Sequence, residues 1–264
     1  MLEFTYRRKI FRIKEMIFGA LSDIDEKNCD VVYMHSNDLP SDCILGSSKN
    51  LITQTQFTLV NDLTQSEEEI YSKISKNYRY EIRRAEKEGI LYSIIDKTFP
   101  NLKEEIILFK RTYEKMFQAK GMNNRFNFEL VEEGLKKDNV LITKAYNPQD
   151  ERCFIYHAYL VDGQNAMLMY STSTLADAED KELMNMIGWA NKYLHWKDMW
   201  FFKASQYKRY EWGGIGNPEN LSGIARFKKM FGGEVISYNN YLKAASPIGL
   251  IYLALVKRRS RKWQ

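Results

Sequence analysis

From residue 66 to residue 88 the apolar positions keep helical spacing. Ile70, Ile74, Tyr78, Ile82 and Ala85 fall on one side of a helix, and Ser66 followed by Glu67, Glu68 and Glu69 sets a capping hydroxyl and acids at its positive end. Gly89 stops that helix and residues 90–95 are β-rich. A second helix is predicted over 102–120, ended by Gly121, and a strand over 140–146. Residues 153–161 and 166–171 flank an Asp162-Gly163 turn and read as a hairpin. Leu183, Met186, Ile187, Ala190, Tyr193 and Leu194 form the stripe of a helix lying on a sheet, continuing to about Ala204. A strand over 207–212 then ends in Gly213-Gly214, a short helix contains residues 226–229, and Gly232-Gly233 leads into a strand over 234–242. Before residue 66, a loop over 46–50 and a strand over 53–60 belong to what reads as an incomplete lobe. This order predicts an α+β (mixed α/β) fold. No GxGxxG or GxxxxGK[ST] loop opens a helix, so neither a dinucleotide-binding fold nor a P-loop is expected.

Composition changes this picture little. With 264 residues, 44% of them hydrophobic, the chain can bury a full core without staples. Cys29, Cys43 and Cys153 have neither disulfide-framework nor zinc spacing, which suits a reducing, cytoplasmic setting. His35, His157 and His195 show no ligand spacing, so no metal is expected, and no GxSxG marks a serine nucleophile. The apolar stretch 16–21 is short and flanked by charge, and the longest clean run, 248–256, is about half the ~20 residues a spanning helix requires. Neither a leader nor a transmembrane helix is expected. The formal charge of +5 gathers in 76–87, 226–229 and 257–262, which suits an anionic partner or, equally, solvated helix faces.

Three strings carry a family resemblance. Residues 75–89 (SKNYRYEIRRAEKEG) resemble the Lys-x-x-Arg-x-x-Ile-Arg-Lys-Ala-Glu-x-x-Gly segment of Fem-type peptidoglycan-bridge aminoacyltransferases. Tyr210-Glu211-Trp212-Gly213-Gly214 is similar to that family's Tyr-Asp-Phe/Trp-Gly-Gly strand end, with Glu211 in place of the usual Asp. Residues 223–234 are similar to its Gly-x-x-Arg-Phe-Lys-x-x-Phe-Gly-Gly signature. The resemblance covers roughly residues 66–245. It implies an N-acetyltransferase-like (GNAT) fold with a truncated N-terminal lobe, an acyl or aminoacyl donor, and an amine or hydroxyl acceptor. It implies no metal and no cofactor beyond the donor as co-substrate. The expected division is a partial lobe over 1–65, the acyltransferase domain over 66–246, and a basic tail over 247–264 packing on the partial lobe.

Acyl transfer needs a neutral nucleophile, a donor carbonyl at attack distance and groups that stabilise the oxyanion. Arg226, Lys228 and Lys229 follow a Gly-containing loop; Lys228 is the expected electrostatic stabiliser, with Arg226, Phe227 and Lys229 beside it. The same cations also fit an exposed helix face over an inward Phe227 and Phe231. Trp212, Gly213 and Gly214 are expected to let a substrate approach the backbone, although Gly-Gly after a strand also makes an ordinary turn. Glu211 is a candidate to hold the acceptor amine or its proton, or else a surface carboxylate paired with a lysine. Asn191 and His195, at i and i+4, share a helix face that can line a pocket, while a histidine between Leu194 and Trp196 also fits the core. Tyr170 and Ser171 end a hairpin strand within reach of a substrate. Arg83 and Arg84 are the candidate donor-binding pair.

The function expected is acylation of a cell-envelope precursor, a peptidoglycan or polysaccharide sugar, from aminoacyl-tRNA or acyl-coenzyme A. No coenzyme A loop of the form Arg/Gln-x-x-Gly-x-Gly/Ala is present, which favours tRNA as partner. The basic C-terminus can rest on the inner membrane surface, touch tRNA, or leave its charges in water above a packed apolar half. The alternative function is a non-catalytic RNA- or envelope-binding module on the same fold.

Overall fold

A computed structural model of the chain describes residues 1–36, 49–122, 126–149, 152–220 and 222–260. Cys43, Arg261 and Lys262 lie outside these, as does most of the loop expected over 46–50. The chain gathers into two compact units. The first is Met1–Thr58, Gly216–Asn220 and Val235–Gln264, and the second is Leu59–Ile215 and Leu221–Glu234.

In the first unit β1 (Leu2–Arg8) and β2 (Phe11–Gly19) form an antiparallel pair, and β2 runs parallel to β3 (Val31–Ser36). The late strand β10 (Glu234–Ala244) pairs antiparallel with β3, and β4 (Leu51–Asp62) follows β10 in the strand order. The expected partial lobe over 1–65 is therefore completed by chain from the far end of the sequence. α7 (Pro247–Ser260) also joins this unit: Leu253 is buried with Phe11, Ile13 and Val31, and the Tyr252 ring meets Phe11 edge-on at 4.9 Å. Gly249 lets the helix sit this close, since a Cβ there would fall 1.9 Å from the Asp30 carbonyl oxygen. Asp30 ties the same corner together by accepting from the Arg12 backbone N–H at 2.9 Å and the Ser246 hydroxyl at 2.9 Å.

The second unit opens on α1 (Glu67–Lys73), whose Ser66 and Glu69 make the reciprocal capping box read from the sequence. Removing the hydroxyl in Ser66→Ala is expected to cost about 1 kcal/mol in a denaturant melt. α2 (Lys76–Lys87), β5 (Leu91–Ile95), α3 (Leu102–Ala119) and β6 (Val140–Tyr146) follow, with α4 (Phe128–Lys136), which the pattern did not predict, between the last two. The hairpin is β7 (Cys153–Val161) and β8 (Asn165–Ser173), then come α5 (Lys181–Ala204), β9 (Arg209–Gly214) and α6 (Gly223–Lys229). The strands follow the order β4-β9-β8-β7-β6-β5, so the predicted hairpin and the strand ending in Gly213-Gly214 are neighbours in one sheet. α5 packs on β6, β7 and β8, and α2 packs on α5.

β8 and β9 are parallel, but their ladder covers only Asn165, Ala166 and Met167 against Arg209, Tyr210 and Glu211. Past that point β8 continues to Ser173 and β9 to Gly214 without pairing each other. The break between these two strands positions the site.

Candidate active site

Where the ladder ends, a cavity of about 450 Å³ opens. Its walls are β8 from Leu168 to Ser173, the β9 end Trp212-Gly213-Gly214, Asn191 and His195 of α5, and Phe227 and Lys228 of α6. α3 adds Met116, Phe117 and Lys120, which carried no motif and follow only from the packing of α3 on β8.

Gly213 has φ +65°, and a Cβ there would sit 2.9 Å from the Leu168 carbonyl oxygen. Glycine is thus needed at 213, where the strands part, while position 214 has open space around it. Trp212 is buried and donates its Nε1–H to Asn61 Oδ1 at 2.7 Å, and Asn61 in turn donates to the Phe231 carbonyl at 3.0 Å. Lys228 Nζ donates to the carbonyl oxygens of Trp212 at 2.6 Å, Gly214 at 3.0 Å and Gly213 at 3.5 Å. Burial pushes the Lys228 ammonium down to about 8, against the opposing pull of the Glu211 carboxylate. It is still charged at neutral pH, and it fixes the shape of the glycine turn.

Several candidates stand elsewhere. Arg226 and Lys229 are exposed and occupy the last turn of α6, not its first, where cations complement the negative end of the dipole. Ser222 caps that helix by accepting from the Ala225 N–H at 3.2 Å. Glu211 is buried and outside the cavity wall, so it is no surface carboxylate; β-strand alternation sends it to the face opposite Tyr210 and Trp212. Tyr170 turns away too, its hydroxyl accepting from the Asn127 N–H at 3.2 Å and its ring stacked on Phe126, while Ser171 lines the cavity. Arg84 pairs with Glu88 at 2.7 Å and lies over the Trp189 ring, and Arg83 reaches the Tyr71 hydroxyl at 3.4 Å; both are on α2, off the cavity.

Asn191 and His195 do meet at the cavity. Behind His195 lies a buried cluster that sequence reading missed. His195 Nδ1 is 2.8 Å from Tyr210 Oη, Tyr210 Oη is 2.8 Å from Tyr159 Oη, and Tyr159 donates to Asp198 Oδ2 at 2.5 Å. His157 Nδ1 is 2.7 Å from the same carboxylate oxygen. His157, His195 and Asp198 are close enough together to suggest a metal. The imidazoles, however, stack at 4.0 Å with planes 29° apart, and both Nδ1 atoms are taken up by the hydrogen-bonded cluster. Burial, then His157, Lys228 and Lys192, lower the His195 pKa well below the ordinary imidazole value, and burial with the Asp198 charge raises both tyrosines far above theirs.

Comparison of the sequence with protein-family models and with curated proteins returns no match. Solved structures match in fold. FemX does so with a TM-score of 0.65 at 10% identity, over 90% of this chain and 83% of its own. The C-terminal (DUF2156) domain of a putative lysylphosphatidylglycerol synthetase from Agrobacterium fabrum gives 0.58 at 12% identity, over 96% and 83%. L-PGS from Bacillus licheniformis gives 0.56 at 11% identity, over 95% and 84%. The mixed α/β fold expected from the Fem resemblance is therefore the fold of this chain.

Proposed function

We propose that the chain is an acyltransferase, of the aminoacyl type, acting on a cell-envelope component. One observation carries this reading: the cavity where β8 and β9 part brings together the Trp-Gly-Gly strand end, Lys228 and the Asn191–His195 face of α5. The fold shared with FemX and the lysylphosphatidylglycerol synthetases supports it. In this reading the acyl carbonyl lies against Gly213-Gly214, and Lys228 exchanges its longest contact, to Gly213, for the developing oxyanion. Trp212 and Phe227 flank the acyl group, and Ser171 and Asn191 hold the acceptor. No ligand loop for coenzyme A was found in the sequence, so an aminoacyl ester of tRNA is the favoured donor. Incubation with charged tRNA or acyl-coenzyme A and a panel of envelope precursors, read by mass spectrometry, tests the proposal. Binding with no transfer from any donor would favour a non-catalytic module instead.

Arg83 and Arg84 are assigned to the tRNA backbone, away from the reacting centre. Transfer should then fall steeply between about 50 and 200 mM salt, because each neutralised phosphate releases counterions. Reversing both charges, with Arg83→Glu and Arg84→Glu, should flatten that slope.

We place the protein at the cytoplasmic face of the membrane, touching it through α7. Among the described residues no helix is long and apolar enough to cross a membrane. α7 nevertheless exposes Ile248, Ile251 and Leu255, a stripe at i, i+3 and i+7, ahead of Lys257 and Arg258. An apolar stripe next to cations suits anionic headgroups. Sedimentation with phosphatidylglycerol vesicles should exceed that with phosphatidylcholine vesicles and should be lost in Ile251→Asp.

A further inference from the structure

The hydrogens of the buried cluster can be assigned by counting. Tyr159 Oη donates to Asp198 Oδ2, so that oxygen is an acceptor and takes its second hydrogen bond, at 2.7 Å, from His157 Nδ1–H. The Tyr159 hydrogen is then spent. The 2.8 Å contact between the tyrosine oxygens needs a hydrogen, and only Tyr210 can supply it, so Tyr210 donates to Tyr159. With its own hydrogen committed, Tyr210 can only accept at 2.8 Å from His195. His195 therefore carries its hydrogen on Nδ1, and Nε2 keeps a bare lone pair. His195 lines the cavity with its other nitrogen engaged inward, which leaves Nε2 as the ring nitrogen turned to the opening.

We infer that His195 Nε2 is the general base of the transfer reaction, held in its reactive tautomer by Tyr210, Tyr159, His157 and Asp198 as positioning residues. The inference rests on the acyltransferase reading above. As the acceptor amine attacks the donor's ester carbonyl, the C–N bond forms and the amine proton passes to Nε2. The ester C–O bond then breaks, and the same proton goes from Nε2 to the departing ribose oxygen, so the imidazole ends neutral. Burial keeps the ring neutral beforehand, so the Nε2 lone pair is free to take the proton. The groups facing His195 are His157 and Tyr159 from β7, Tyr210 from β9, Lys228 from α6, and Lys192 and Asp198 from its own helix. Among these, Asp198 supplies the negative charge, through two tyrosine hydroxyls, against which the transient imidazolium forms.

The experiment is long-range ¹H–¹⁵N correlation NMR of the full chain labelled at its three histidines, combined with transfer kinetics. The wild type needs no substitution to show the predicted state, a neutral His195 with hydrogen on Nδ1 between pH 6 and 8. A hydrogen on Nε2, or a charged ring in that range, overturns the inference whatever the activity. His195→Gln is expected to lower kcat by roughly 10²–10⁴-fold with KM unchanged. Tyr210→Phe should move the His195 hydrogen to Nε2 and lower kcat with it, a change a merely structural tyrosine would not produce. Transfer by His195→Gln within about threefold of wild type sinks the base and leaves the acyltransferase standing. Absence of transfer by the wild type from every donor sinks the acyltransferase, while the NMR spectrum still reports on the tautomer.

Discussion

Lys228→Met lowers turnover by roughly 10²–10³-fold, about 3–4 kcal/mol of barrier, if the ammonium stabilises the transition-state oxyanion as one hole donor does elsewhere. Methionine keeps the stem and removes only the charge and its donors. The substitution also strands the Trp212 and Gly214 carbonyls that Nζ holds at 2.6 and 3.0 Å, so the melting temperature should fall as well. That loss is set at about 1–3 kcal/mol for orphaned acceptors, reduced by the relief of no longer desolvating a cation. pH separates the two effects. The ammonium is lost as pH rises through about 8, so wild-type activity should decline above that value, and Lys228→Met should show no such limb. Lys229→Met is the control, since Lys229 is exposed and points about 100° away around the helix. Equal and small losses in both variants would reduce Lys228 to a clamp on the glycine turn.

Asp198→Ala is expected to cost about 3–5 kcal/mol of stability, more than any other single change considered. It removes a fully buried carboxylate that accepts from both Tyr159 Oη–H and His157 Nδ1–H, leaving these two only each other, across 3.1 Å between packed rings. Asp198→Asn keeps the volume and one acceptor, so it should lose less. Chemical denaturation of the two variants gives the comparison, and an Ala variant as stable as wild type would mean that the carboxylate does not hold the cluster.

What could be read in the sequence was whatever local chemistry specifies. Ser66 with three glutamates gave the start of α1, but the single helix read over 66–88 is two, broken where Ile74 turns extended and Ser75 caps α2. The Asp162-Gly163 turn and the stripe from Leu183 to Leu194 gave their elements within a few residues, because caps, φ > 0 positions and periodicity act over one or two turns. The site was half legible. Trp212, Gly213, Gly214, Phe227 and Lys228 stand in two short strings that the fold joins, and Asn191 and His195 share a face set by a helix already recognised. Tyr159, Tyr210 and His157 look like ordinary strand residues, and only the pairing of β7, β8 and β9 under α5 turns them toward Asp198. Glu211 lies off the cavity for the converse reason: its neighbours in sequence lie on the opposite face of the strand. α4 was missed because nine residues, Phe128–Lys136, are too few for a periodicity to declare itself.

The insertion of β10 beside β3 has a consequence for how the chain acquires its structure. The segments of the first unit are separated by about the whole length of the second, so loop-closure entropy falls entirely on their meeting, whereas most of the second unit is contiguous. During synthesis the early strands β1 to β3 must wait, with β3 offering a bare edge, until residues past 234 leave the ribosome. A nascent chain stalled before β10 should bind chaperones and be cut by protease within its first 58 residues, while the hairpin and α5 already resist.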